Sequence, residues 1–260
     1  MSQDSAAAVA ATDPYAVTPG WYDLFRAAEG ADALPSVAFF AGLAPSGGSA
    51  LEIGPGTGRI TLAVAERTAA LWCLERSPTM RAVLLAKLAG RPDLWDRVTV
   101  LQGSAPTFRL SRRFDYIYLA GVLEHIPARD RPALFAAIAE HLIPGGTVAM
   151  DMVLTLPAPD EPEHEVSQVR LGECRYVYSL QAQRIGPDLS RLRMTYRTLH
   201  HDELIATDVV TRLHNMHRPG PVQADLAAAG LVPVTAPGTA AAASVIIDAG
   251  VVVARTEVAG

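Results

Sequence analysis

Apolar and polar positions along the chain switch between helical and strand spacing. Between residues 19 and 44, Trp21, Tyr22, Leu24 and Phe25 are followed by Leu34, Val37, Phe39, Phe40 and Leu43. That spacing predicts one or two helices. Pro45-Ser46-Gly47-Gly48 then reads as a loop. Short apolar runs follow at residues 50–53, 70–74, 98–101, 114–119 and 147–153, each of strand length. Helical spacing separates them at residues 59–67, 77–89 and 130–142. Ser77 suits an N-cap with Pro78 in the first helical position, and Asp130 is a candidate cap. Pro144-Gly145-Gly146 predicts a turn. Strands alternating with helices predict βαβ units and a parallel sheet covered on both faces.

The pattern changes after Leu156. Residues 157–165 are acidic and Pro-rich, which predicts a loop or lid. Residues 174–184, 189–199 and 207–213 alternate, with Gly186-Pro187-Asp188 between the first two. Three such runs predict an antiparallel meander. Residues 219–229 predict a helix ended by Gly230, and 231–234 and 251–254 predict two last strands. Residues 1–14 are Ala-rich and polar, which predicts a disordered start. The chain is thus expected to divide into an N-terminal helical cap (1–44), a core (45–156), an antiparallel insertion (157–218) and the end of the core sheet (219–260).

Composition narrows the function. The chain has 260 residues, half of them hydrophobic and 19% charged, which suits a large core rather than disorder. The net charge of −5 lacks the basic excess that phosphate-backbone binding needs, so nucleic acid is not an expected partner. Cys73 and Cys174 are the only cysteines, which excludes a disulfide scaffold and fits a reducing cytoplasm. Met1-Ser2-Gln3-Asp4 offers no positive n-region. The apolar stretch at 241–254 is too short for a bilayer and reads as core strand.

The richest local signal is Leu51-Glu52-Ile53-Gly54-Pro55-Gly56-Thr57-Gly58-Arg59, between a predicted strand and a predicted helix. Glycine permits positive φ and a close ligand there, at the carboxyl end of a strand, where open α/β sheets bind cofactors. G-x-G-x-x-G fails, because its last glycine falls on Arg59 or Thr61. A P-loop fails for lack of the lysine. Glu75 ends the second strand about twenty residues after the glycines, where a carboxylate can accept both hydroxyls of a ribose. The pair points to a nucleoside without a pyrophosphate.

These features resemble the class I S-adenosylmethionine-dependent methyltransferases. Phe114-Asp115-Tyr116-Ile117 resembles the family's fourth-strand motif, Gly121-Val122-Leu123-Glu124-His125-Ile126 the segment after it, and Leu142-Ile143-Pro144-Gly145-Gly146 its helix-to-strand turn. The resemblance covers residues 50–155. It implies a Rossmann-like α/β three-layer sandwich with a mostly parallel seven-stranded sheet and an antiparallel insertion after strand five. It implies S-adenosylmethionine as cofactor, with Gly54, Gly56 and Gly58 at its methionine end and Glu52 supporting the turn. Glu75 would bind the ribose, Arg76 and Met80 flank the adenine, and Ser104 and Ala105 lie at the adenine edge. Leu119 and Ala120 would lie beneath the sulfonium. Ser104 departs from the Asp that many members carry there. Tyr15 and Tyr22 resemble aromatics that close over the cofactor in small-molecule members.

Methyl transfer from a sulfonium is an in-line displacement that rests on alignment, with a base near neutral pKa for oxygen or carbon acids. His125, after strand four, is the first candidate, followed by His214 and His217 in His214-Asn215-Met216-His217-Arg218, with Tyr22 beside them. His200 and His201 at a predicted turn are lesser candidates. No metal is expected, since no Asp-Asn pair follows Asp151. The insertion is similar in place to the meander that sugar-amine and glycine-type N-methyltransferases use as lid or dimer surface, so a homodimer is expected. The expected function is methyl transfer to an oxygen, nitrogen or carbon of a small molecule in specialised metabolism. The alternatives are a non-methylating step on the same cofactor, such as cyclisation, or a non-catalytic binding subunit.

Overall fold

The computed structural model describes residues 13–28, 34–153, 160–234 and 249–256. Three expectations therefore lie partly outside the described residues: the disordered start up to residue 12, the acidic loop at 157–159 and the apolar stretch at 241–248. In chain order the elements are α1 (Pro19–Ala28), α2 (Leu34–Gly42), β1 (Ser49–Ile53), α3 (Thr61–Ala65), β2 (Ala70–Glu75), α4 (Pro78–Ala89), β3 (Val98–Gln102), β4 (Phe114–Leu119), α5 (Arg131–His141) and β5 (Leu142–Val153). Then come β6 (Asp160–Leu171), β7 (Cys174–Gly186), β8 (Leu189–His200), β9 (Glu203–Asn215), α6 (Pro219–Ala228), β10 (Leu231–Pro233) and β11 (Ala249–Thr256). Among the described residues, no helix is long and apolar enough to cross a membrane.

By contacts the chain divides into two units. One comprises residues 34–155 and 215–260, the other 1–33 and 156–214. The N-terminal helices are thus shared out, α2 to the first unit and α1 to the second.

The first unit is an α/β sandwich. Its seven strands lie in the order β10-β11-β5-β4-β1-β2-β3. β1, β2, β3, β4 and β5 pair in parallel, while β11 runs antiparallel to both neighbours. Successive strand residues face opposite sides of a sheet. Along β4, Tyr116 and Tyr118 enter one apolar cluster and Phe114, Ile117 and Leu119 the other. Phe40 of α2, Val64 of α3 and Leu84 of α4 cover the first face. Leu134 and Phe135 of α5 and Val222 and Leu226 of α6 cover the second. Helices on both faces explain why these strands read as apolar runs.

The local signals resolve unevenly. Ser77 caps α4, its hydroxyl accepting the Met80 N–H at 3.1 Å. Asp130 occupies the N-cap position of α5 but its side chain makes no cap bond. Residues Ala128–Asp130 already form a 3₁₀ turn, so the chain enters α5 in helical conformation and the carboxylate is not aimed at the first N–H groups. The expected turn at Pro144-Gly145-Gly146 lies inside β5, where a register shift between Phe114 and Tyr116 of β4 absorbs it.

The second unit packs α1 with a four-stranded antiparallel sheet ordered β6-β7-β8-β9. The expectation of three strands is corrected to four. From Asp160 onward the segment expected to be loop is strand β6. Its charges and Pro162 hide it in the sequence. As an edge strand it tolerates both, and Pro162 falls in the register shift between Glu161 and His164. One face of this sheet builds an aromatic cluster in which Trp21 and Phe25 of α1 meet Tyr176, Tyr178 and Tyr196.

Candidate functional site

In the first unit, the carboxyl ends of β1, β2, β4 and β5 lie on one edge of the sheet, because these strands are mutually parallel. The turn after β1 carries Gly54, Gly56 and Gly58 at φ +70°, +58° and +86°. A Cβ at Gly54 would stand 2.6 Å from the Val122 side chain, so close approach of the segment after β4 requires glycine. A Cβ at Gly56 would meet nothing within 4 Å, so the turn is open on that side.

Two carboxylates hold this turn. Glu75 ends β2, buried, and accepts the Gly56 N–H through Oε2 at 2.9 Å and the Ser77 N–H through Oε1 at 2.7 Å. One side chain therefore joins β2, the glycine turn and the head of α4. Glu52 of β1 accepts the Thr61 hydroxyl of α3 at 2.5 Å. Burial pushes its carboxyl up to about 7, against the opposing pull of the Thr61 hydrogen bond. Beneath it, burial first and then the Glu52 charge push the Cys73 thiol up, so this cysteine is an inert core residue.

The segment after β4 is clamped from the far end of the unit. Leu123–His125 form a 3₁₀ turn. The Asn215 side-chain amide donates to the Glu124 carbonyl at 2.9 Å. His217, buried, donates from Nε2 to the Leu123 carbonyl at 2.8 Å and accepts from Arg131 Nη1 at 2.9 Å through Nδ1. Arg131 Nε in turn donates to Asp225 at 2.7 Å. His125 sits half-buried on the clamped turn. Asp151 of β5 accepts the Gly121 N–H at 2.8 Å, and burial raises its pKa.

The structure brings Glu52, Gly54, Gly56, Gly58 and Glu75 together as one turn with its supports. Met80 is buried in the first turn of α4, whereas Arg76 and Ser104 are exposed. Leu119 is fully buried, and Ala120 and Ala105 are half-buried. His214 ends the second unit, whereas His217 belongs to the first. Burial, with Arg212 adding to it, pushes His214 down to about 4, so it is neutral at neutral pH and suited to hydrogen bonding rather than proton uptake. His217 has both ring nitrogens engaged and acts as a clamp. Tyr15 and Tyr22 belong to the second unit, where Arg212 lies over the Tyr15 ring at 4.0 Å and Arg26 over the Tyr22 ring at 5.5 Å. Sequence reasoning missed Asn215, Arg131 and Asp225 as supports, because their partners lie about ninety residues away along the chain.

Residues 50–146 match a family model described as a methyltransferase domain. A search of curated protein sequences finds no match. Among solved structures, the chain is similar to DesVI of Streptomyces venezuelae, with TM-score 0.73 and 22% identity over 90% of this chain and 96% of that one. It is similar to the sugar N-methyltransferase KedS8 of Streptoalloteichus sp. ATCC 53650, with TM-score 0.71 and 23% identity over 91% and 92%. It is also similar to SAM-bound CalS10 of Micromonospora echinaspora, an amino pentose methyltransferase of calicheamicin biosynthesis, with TM-score 0.65 and 22% identity over 88% and 90%. At these identities the likeness shows the fold, which agrees with the strand order and the single reversed strand. Residues 50–146 of this chain thus match a methyltransferase domain, set in a fold that the chain shares with solved methyltransferase structures.

Proposed function

We propose that the chain transfers a methyl group to the amine nitrogen of a small, sugar-like molecule in specialised metabolism. The observation that carries this reading is the glycine turn held by Glu75 at the carboxyl edge of a methyltransferase sheet. Gly56 tests the fit to the cofactor, since the turn is open where a side chain would otherwise stand. S-adenosylmethionine supplies an electrophilic methyl on a sulfonium when it is bound. Gly54, Gly56 and Gly58 would receive its amino-acid end on bare backbone, Glu75 its ribose hydroxyls, and Met80 with Ala105 its adenine. Among the described residues of the edge, His125 takes up the proton that a methylated ammonium releases. Asn215 and His217 position His125 through the Leu123 and Glu124 carbonyls. The names of the similar structures, an amino pentose methyltransferase and a sugar N-methyltransferase, support an amine acceptor. The net charge of −5 disfavours a nucleic-acid acceptor. A reducing cytoplasm suits the two free thiols, and the exposed Leu204, Ile205, Val209 and Leu213 of β9 suit a homodimer.

Incubation with methyl-labelled cofactor and paired acceptors tests the reading. Label should enter amino sugars and not their N-acetylated counterparts. Label that enters hydroxyl-only acceptors equally well would overturn the nitrogen assignment. Acceptor consumed with the label still on the cofactor would overturn methyl transfer itself.

A further inference from the structure

We infer that Glu173, His200 and His201 form a site for one borderline divalent cation, of which Zn²⁺ is the best fit. The site lies wholly within the second unit and is independent of the methyl-transfer reading. Glu173 occupies the β6–β7 turn and His200 ends β8, 27 residues later. Antiparallel pairing closes that distance, because Cys174 is the register partner of His200. The tips of two hairpins, β6–β7 and β8–β9, therefore stand side by side.

The donor atoms converge on one point. His200 Nε2 lies 3.1 Å from Glu173 Oε2, and His201 Nε2 lies 3.7 Å from the same oxygen. All three donor atoms lie within 4.8 Å of one another. A tetrahedral ion bound at about 2.0–2.1 Å holds its nitrogen and oxygen ligands about 3.3 Å apart. The two measured separations bracket that spacing.

Adjacent residues of a regular strand point to opposite faces, which would part the two imidazoles. Here the backbone leaves the strand at His201, with φ +46° there and +66° at Asp202. A non-glycine residue in this region is uncommon. The ring centroids are consequently only 4.2 Å apart. Arg175 holds the turn in this form by pairing with Asp202 at 2.9 Å.

Imidazole nitrogen and carboxylate oxygen are the donor set that Zn²⁺ and its neighbours among the first-row metals take. Calcium and magnesium prefer all-oxygen sites. All three side chains reach solvent, so water completes the coordination, and the ion would clip two hairpin tips together. The ligands are invisible in the sequence as a set, since two adjacent histidines and a distant glutamate match no ligand spacing.

Calorimetric titration of the full chain, freed of metal by a chelator, with zinc chloride at neutral pH tests the proposal. One ion per chain should bind in the micromolar range and raise the thermal midpoint. His200→Asn with His201→Asn should weaken binding at least about 100-fold, and Glu173→Gln about tenfold. Circular dichroism of the metal-free variants should match the parent, which separates ligand loss from misfolding. No saturable binding to the parent would overturn the site, and so would one-to-one binding that survives in the double variant. Neither result bears on methyl transfer.

Discussion

The Glu75 carboxylate accepts the Gly56 N–H at 2.9 Å from one oxygen and the Ser77 N–H at 2.7 Å from the other. A single side chain thus fixes the distance between the glycine turn and the head of α4. Hydrogen bonds to a charged group contribute about 1.5–3 kcal/mol each. Glu75→Ala should weaken S-adenosylhomocysteine binding by about 10- to 100-fold, at about 1.4 kcal/mol per tenfold. Fluorescence or calorimetric titration reads this directly. Unchanged affinity would remove Glu75 from the site.

Glu52 makes stability depend on pH. Its carboxyl titrates at about 7 in the folded chain against 4.5 for an ordinary carboxyl. Between those values the folded chain keeps a proton that the unfolded chain has lost, so stability falls as pH rises through that window. The penalty is absent below it and complete above it, on the order of 3 kcal/mol. Glu52→Gln should therefore gain on the parent as pH rises from about 5 to about 8. Urea unfolding at the two pH values checks it, and a constant difference between the two proteins would contradict it.

His214 acts in the opposite sense. Its ring titrates at about 4 in the folded chain, chiefly through burial, against 6.5 when unperturbed. Its contribution is present above the upper value and lost as pH falls toward the lower one. His214→Gln should flatten the acid limb of the stability profile over that window. Thermal melts across it would show no flattening if the histidine were solvated.

The clamp of Arg131, His217 and Asp225 separates stability from turnover. Asp225→Ala leaves the Arg131 guanidinium buried beside His217 alone. It should cost about 2–4 kcal/mol, below the full penalty for breaking a buried pair because Asp225 is partly exposed. His217→Ala removes the donor to the Leu123 carbonyl and loosens the turn that bears His125. It should lower kcat by about tenfold or more while cofactor affinity changes little. Equal losses in both would mark His217 as a general structural residue.

What the sequence disclosed follows from the range of each interaction. The turn at Gly54–Gly58 and the Ser77 cap are local, so their residue types sufficed. Glu75 was legible because a strand and its following turn fix its place. β6 was hidden because Pro162 and the surrounding acids are loop-like residues that only an edge strand with register shifts accommodates. The burial of His217 was hidden because Leu123 and Arg131 lie 94 and 86 residues away. The Glu173 and histidine cluster was hidden for the same reason, being made by strand register rather than by spacing.

Calorimetric titration of the intact chain with S-adenosylhomocysteine tests the central claim most directly. The account predicts saturable one-to-one binding in the micromolar range for the parent and a marked loss for Glu75→Ala. An absence of saturable binding to the well-folded parent, even at millimolar ligand, would contradict it.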